Sequence, residues 1–272
     1  MALLQKPLST AMNARTVGSG DETVVLAHGY GGDQSAWDNI VPRLSQNYKV
    51  VLFDWSFSGA IKHPDFFDPA KYSSFDAFAL DLISLLEEMN LKSTVFIGHS
   101  MSGMIGCVAS IKRPELFKRL VLVGSSPRFI NSGDYQGGFE VSDIEQIFSN
   151  IETNFLPWTS SFAAFLTGVN DRLAIERYQN SLQKVSPEAA LSVAKLVFLS
   201  DLRDMLDKVV TPCTIIQTAT DPAVPGSVAD FMHKKIKAKS TVEKIDTVGH
   251  LPHFTAHLQL LEVLERALGS DL

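Results

Sequence analysis

Cysteine and long apolar runs are both scarce in this chain, and each shortage removes a class of protein. The 272 residues include two cysteines, Cys107 and Cys213, which are too few for a disulfide framework. We therefore expect both to be small core residues in a reducing compartment. No apolar run approaches transmembrane length, and Lys6 and Pro7 stand where a signal peptide needs continuous apolar residues. The sequence thus predicts an intracellular protein that does not span a membrane.

Positive charge is also in short supply. The chain has 24 lysine and arginine residues against 30 aspartate and glutamate residues, which gives a formal net charge of −6. The one short cationic cluster, residues 233–235, is expected on a solvated helix, so a nucleic-acid-binding surface is excluded. No histidine, cysteine and carboxylate cluster has metal-ligand spacing, and we predict no metal and no cofactor. Apolar residues are plentiful, at 45%, and can bury a sizeable core.

Short apolar runs of strand length alternate with segments of helical periodicity, which is the pattern of an α/β protein with a mainly parallel sheet. This alternation of strands and helices stops after Gly124 and resumes at Pro212. Between them, residues 127–202 read as four helices without strands. We predict a core formed by residues 1–126 and 203–272, with residues 127–202 inserted as a helical lid. The strands are predicted at residues 23–27, 48–54, 94–97, 120–123, 212–217 and 242–246.

The sequence Gly98-His99-Ser100-Met101-Ser102 follows one of these strands and precedes a segment that can begin a helix. A serine on a sharp strand-to-helix turn has its hydroxyl raised above the sheet, and small neighbours are needed because the turn is cramped. The usual pattern ends in glycine, and Ser102 stands there instead. This segment predicts that Ser100 is a nucleophile.

Two further residues complete the chemistry that a serine nucleophile requires. Asp221 and His250 each follow a predicted strand, and the order Ser, Asp, His is that of an α/β-hydrolase fold. The imidazole accepts the serine proton, and the carboxylate orients the imidazole. Asp246 and His253 are alternatives close in sequence. We prefer Asp221 because Asp246 ends the strand just before the histidine, and His250 because it follows that strand directly.

A glycine-rich segment, His28-Gly29-Tyr30-Gly31-Gly32, follows the first predicted strand. Glycines let a backbone amide approach a ligand closely, which an oxyanion hole requires. We therefore predict that the backbone N–H groups of Tyr30 and Met101 bind the developing oxyanion.

The lid segment is rich in aromatic residues, more so than four short helices need to pack against one another. A lid that roofs an apolar cavity explains this excess. The loop at residues 55–60 is also expected near the mouth of that cavity. The predicted substrate-binding residues are Tyr30, Phe129, Phe139, Trp158, Phe162, Phe198 and Ala223.

Several segments together resemble the plant karrikin- and strigolactone-receptor family. They are HGYGGDQS at 28–35, GHSMS at 98–102, SPRF at 126–129, DYQGGFE at 134–140 and GHLPH at 249–253. The resemblance implies an α/β-hydrolase core, a four-helix lid inserted after the sixth strand, and slow hydrolysis of butenolides in the cytoplasm and nucleus. FDWSFSGAIK at 53–62 departs from the receptors and resembles the divergent dwarf-fourteen-like-two paralogues.

Two functions remain open at this point. The first is a serine hydrolase of small butenolide- or strigolactone-like esters or enol ethers, acting as a monomer. The second, which the family implies, is a slow-turnover butenolide receptor that signals through a lid change and an F-box protein partner. Epoxide hydrolases and dehalogenases are disfavoured, because they usually have an acidic nucleophile where this chain has Ser100.

Overall fold

A computed structural model describes residues 7–269, apart from the side chain of Pro64. A seven-stranded sheet with the order β1-β3-β2-β4-β5-β6-β7 runs through the molecule. All neighbouring pairs are parallel except β1 and β3. The strands are β1 (Arg15–Val17), β2 (Thr23–Ala27), β3 (Lys49–Leu52), β4 (Thr94–His99), β5 (Phe117–Val123), β6 (Cys213–Thr220) and β7 (Ser240–Val248).

Helices cover both faces of the sheet, which is why the central strands read as continuous apolar runs. All six residues of β4 are buried. One face packs against α3, α4 and α9, and the other against α11 and the segment around Trp37. The helices outside the lid are α1 (Leu8–Ala11), α2 (Val41–Leu44), α3 (Phe75–Glu88), α4 (Met101–Lys112), α9 (Gly226–Lys235), α10 (Pro252–Thr255) and α11 (His257–Gly269).

Four helices lie between β5 and β6, in the segment for which the sequence predicted a lid. Helix α6 packs against α7, and α5 packs against α8. The chain enters and leaves the lid at one place, where the Leu202 amide donates to the carbonyl oxygen of Pro127 at 2.8 Å. The helices are α5 (Val141–Thr153), α6 (Phe155–Thr167), α7 (Arg172–Leu182) and α8 (Pro187–Leu199).

The position of the lid in the strand order corrects one expectation. Within residues 7–269 the lid follows the fifth strand, not the sixth. Among the described residues the sheet begins at β1, and the helical turn α1 precedes it. Strand β1 itself was not predicted, because it has only three residues and two of them, Arg15 and Thr16, are exposed.

Candidate active site

Ser100 lies at the turn between β4 and α4. Its φ of 54° is in the left-handed region, which is unusual for a residue other than glycine and typical of a strained nucleophile turn. The close packing explains the small neighbours: a Cβ on Gly98 would lie 2.6 Å from the Gly103 nitrogen, and one on Gly103 would lie 2.0 Å from Ser125 Oγ. The strain is thus tolerated because the backbone on both sides of Ser100 has no room to relax.

Ser100, His250 and Asp221 form one hydrogen-bonded chain. His250 Nε2 is 2.9 Å from Ser100 Oγ, and His250 Nδ1 is 2.8 Å from Asp221 Oδ2. The other carboxylate oxygen of Asp221 accepts from the amides of Ala223, at 2.8 Å, and Val224, at 3.0 Å. Because an ionised carboxylate accepts only, His250 Nδ1 donates and Nε2 is left to accept the serine proton.

The alternative acid and base lie elsewhere. Asp246 is exposed on β7. His253 is buried with its ring 4.5 Å from that of His99, and burial, with the nearby His250, lowers the pKa of His253 to about 3. The geometry therefore places Asp221 and His250, rather than Asp246 and His253, beside Ser100.

Two glycines, Gly124 and Gly249, make room for the ring and the backbone of His250. A Cβ on Gly124, which has a φ of +57°, would lie 3.3 Å from the His250 ring. Gly249 has a φ of +106°, and its Cβ would lie 2.1 Å from the Thr167 carbonyl oxygen at the end of α6. The amide of His250 donates to the Leu166 carbonyl oxygen at 2.7 Å. The lid therefore contacts the backbone of the loop that carries His250 directly.

His99 contacts the backbone of the loop that carries His250. Its Nε2 lies 2.8 Å from the His250 carbonyl oxygen, which can only accept, so Nε2 carries a proton and donates. Burial, with His253 and His250 close by, lowers the pKa of His99 well below its ordinary value. A neutral His99 thus holds the His250 backbone in place.

The glycine-rich loop at residues 28–32 packs against the turn that carries Ser100. A Cβ on Gly29 would lie 2.6 Å from His99 Nδ1 and 3.2 Å from Ser100 Cβ. His28 is held by a 2.9 Å hydrogen bond from Nδ1 to the Gly29 carbonyl oxygen, and burial lowers its pKa. Its Nε2 accepts from the Trp55 amide at 3.1 Å.

Met101 follows directly, as the first residue of α4 with Ser100 as N-cap. Its amide therefore has no acceptor within the helix and lies at the positive end of the helix dipole. These placements suit the predicted oxyanion donors, the amides of Tyr30 and Met101.

An apolar cavity of about 30 Å³ lies above Ser100 and His250. Six of the predicted substrate-binding residues line it: Tyr30, Phe129, Phe139, Phe162, Phe198 and Ala223. His99, Leu166, Tyr178 and Val197 also line it and were not predicted to do so. The aliphatic pair had no signal beyond helical periodicity, whereas Tyr178 could have been noticed as an aromatic within the lid.

Two predicted positions are corrected. Trp158 stacks on Phe162, with ring centroids 4.9 Å apart and planes 22° apart, so Phe162 rather than Trp158 faces the cavity. Trp55 lies in the core rather than at the mouth, fully buried against Phe53 and Phe78. In both cases neighbouring aromatic rings surround the side chain: Phe155 and Phe162 lie beside Trp158, and Phe53 and Phe78 lie beside Trp55.

The part of the chain that the structure describes contains no group of three histidine, cysteine or acidic residues that could hold a metal ion. Among residues 7–269, no helix is long and apolar enough to cross a bilayer.

Comparison with known proteins places this site in context. Residues 22–256 match the family profile of the alpha/beta hydrolase fold. A strigolactone esterase of Pisum sativum is 44% identical, over 97% of this chain and 98% of its own. A karrikin insensitive 2 receptor of Petunia hybrida is 42% identical, over 97% of both chains. The structure of a hydrolase from Oleispira antarctica superposes with a TM-score of 0.93 at 30% identity, over 97% of both chains.

Proposed function

The chain belongs to the α/β-hydrolase fold family, among the relatives of strigolactone esterases and karrikin receptors, and from this premise we propose that it hydrolyses small butenolide- or strigolactone-like esters or enol ethers. The observation that carries the proposal is the hydrogen-bonded chain of Ser100, His250 and Asp221 beneath an apolar cavity. A serine hydroxyl needs this chain to become a nucleophile, and an apolar ligand gains free energy by leaving water for such a cavity.

The first half of the reaction forms an acyl-enzyme. Ser100 Oγ attacks the carbonyl carbon of the ester or lactone while its proton passes to His250 Nε2. The carbonyl oxygen becomes an oxyanion, which the Tyr30 and Met101 amides stabilise by roughly 3–4 kcal/mol per donor. The carbon–oxygen bond to the leaving group then breaks, and the leaving oxygen takes the proton from His250.

The second half releases the acid. Water loses a proton to His250 Nε2 and attacks the acyl carbon, and the bond to Ser100 Oγ breaks as the proton returns to that oxygen. Asp221 stays ionised throughout and stabilises the imidazolium that forms in each half.

The test is turnover of a fluorogenic butenolide ester, with intact mass measured after incubation. Ser100→Ala should lose turnover and any covalent adduct while keeping the melting temperature of the wild type. Asp221→Asn should lower kcat by up to about 10⁴-fold, because the imidazole takes the wrong tautomer. The matched control is Asp246→Asn, which removes an exposed carboxylate and should change little. Turnover by Ser100→Ala at the wild-type rate contradicts the proposal.

A receptor role is the second candidate, and one observation favours it. The cavity of about 30 Å³ holds only a few water-sized groups, whereas ligand sites usually measure about 300–1,000 Å³. A butenolide-type ligand must therefore displace lid side chains or helices, which couples binding to a change of the lid surface. We expect ligand-dependent capture of an F-box protein if this role holds. Ligand binding without such capture would leave hydrolysis as the function.

A further inference from the structure

One lid helix, α7, is bound to the loop that carries the proposed oxyanion donor Tyr30. Three of its side chains donate hydrogen bonds to residues 30–35. Tyr178 Oη lies 2.9 Å from the Tyr30 carbonyl oxygen, Ser181 Oγ lies 3.1 Å from Asp33 Oδ2, and Arg177 Nη2 lies 3.2 Å from the Ser35 carbonyl oxygen. Positions 177, 178 and 181 share one side of the helix, so a whole face of α7 is docked on this loop.

The contact is close as well as polar. Gly31 has a φ of +68°, and a Cβ there would lie 2.6 Å from Leu182 Cδ1 and 3.2 Å from Tyr178 Oη. Tyr178 is 4% exposed, and burial raises the pKa of its phenol, so the hydroxyl remains a donor in water-excluded surroundings. A hydrogen bond shielded from water in this way is costly to break, because the Tyr30 carbonyl would be left buried without that partner.

Tyr30 is attached to the lid a second time. Its own hydroxyl donates to the Ala190 carbonyl oxygen of α8 at 2.9 Å. The Tyr30 carbonyl and the Tyr30 side chain are therefore both held by lid helices. On the other side, a Cβ on the preceding residue, Gly29, would lie 3.2 Å from Ser100 Cβ. The Tyr30 N–H shares its peptide plane with the Gly29 carbonyl oxygen, which lies 2.9 Å from His28 Nδ1. The core thus holds the peptide unit before the Tyr30 Cα, and the lid holds the carbonyl after it and the side chain.

We propose that Tyr178 is a positioning residue for the oxyanion hole, because its hydroxyl fixes the Tyr30 backbone so that the Tyr30 amide points above Ser100 only while α7 is docked. The inference rests on the proposed hydrolase function. It implies that a ligand which displaces α7 also weakens the stabilisation of the oxyanion. Lid displacement and fast turnover are then mutually exclusive states of the molecule.

Tyr178→Phe removes the hydroxyl and keeps the ring against the cavity. With a small fluorogenic ester we expect kcat to fall about tenfold, which is less than the 10²–10³-fold loss that follows removal of an oxyanion donor. KM should stay within about twofold, because oxyanion contacts form in the transition state. Affinity for phenyl trifluoromethyl ketone, whose serine adduct carries an oxyanion, should fall by the same factor as kcat. Affinity for the unreactive phenyl methyl ketone should not change.

Thr159→Val is the matched control. Thr159 is a fully buried residue of α6 whose hydroxyl accepts a 3.0 Å hydrogen bond from Gln183 Nε2 at the end of α7. The variant removes a lid hydrogen bond that does not involve the loop at residues 28–35. It should therefore lower the melting temperature and keep kcat within about twofold of wild type.

The possible results separate the two proposals. A kcat for Tyr178→Phe within twofold of wild type, or an equal loss in Thr159→Val, overturns the positioning role and leaves hydrolysis intact. A wild-type protein that neither hydrolyses the ester nor forms a Ser100 adduct overturns the proposed function itself.

Discussion

Ser102 stands where a nucleophile turn usually has glycine, and the structure gives the reason that a side chain fits there. Its hydroxyl donates to the His28 carbonyl oxygen and accepts from Trp55 Nε1 at 2.8 Å. Trp55 Nε1 also lies 3.1 Å from the same carbonyl oxygen. The two residues that depart from the expected pattern are thus partners, and both donate to the His28 carbonyl oxygen at the start of the glycine-rich loop.

A double-mutant cycle tests this partnership. Ser102→Ala should lower the free energy of unfolding by about 1–3 kcal/mol, because it leaves the buried Trp55 indole with one acceptor fewer. In a Trp55→Phe background, the same change should cost less, with a coupling energy of about 0.5–3 kcal/mol. Urea unfolding of the four proteins measures it. Strictly additive losses would mean that the two side chains act independently.

At the scale of the element, helix α6 carries two aromatic residues with the same exposure and different surroundings. Phe162 and Trp158 are each 6% exposed and stack on one another. Phe162 lines the cavity above Ser100, whereas Trp158 packs behind it against Phe155. Helical periodicity brings both to the buried side of α6, and the packing of the neighbouring helices decides which one a ligand meets.

Truncation of each residue should separate binding from folding. Phe162→Ala and Trp158→Ala should both lower the free energy of unfolding, by about 3–5 kcal/mol. Only Phe162→Ala should also weaken binding of a butenolide ligand, by roughly 1–3 kcal/mol, since it alone removes a direct apolar contact. Calorimetric titration at low temperature, beside thermal unfolding, provides both quantities. Equal losses of affinity in the two variants would show that Trp158 also contacts the ligand.

At the scale of the whole molecule, three buried histidines give stability a dependence on pH. Burial lowers the pKa of His28, His99 and His253, for His253 to about 3. The unfolded chain binds protons at these positions near pH 6.5, where the folded protein does not. Their contribution is therefore fully present above pH 6.5 and is lost as the pH falls below it.

Unfolding free energies at pH 7.5, 6.5 and 5.5 check this dependence. Each of these histidines should remove about 1.4 kcal/mol per pH unit below 6.5 for as long as it stays neutral in the folded state. His253→Phe keeps an aromatic ring at this position and removes one proton site. The slope below pH 6.5 should be shallower in this variant by that amount. An unchanged slope would show that His253 is not protonated on unfolding.

The positions of six strands along the chain, the turn at Ser100 and the helical insertion were determined by the sequence alone. Each depends on residues close together in the chain: an apolar run, a small-residue turn, or an amphipathic helix. The choice of Asp221 over Asp246 was within reach for the same reason, since it depends on where a strand ends. The short strand β1, three residues long and largely exposed, had no such local signal.

The walls of the cavity and the supports of the oxyanion loop were decided only by the tertiary structure. Tyr178 and Tyr30 are 148 positions apart, and Ser102 and Trp55 are 47 apart. The first contact forms when the lid docks on the core and the second when two segments of the core pack together, and both depend on the shapes of all the packed side chains at once. A sequence pattern reports which face of a helix is apolar. It does not report which residue on that face meets the loop, the ligand or another ring.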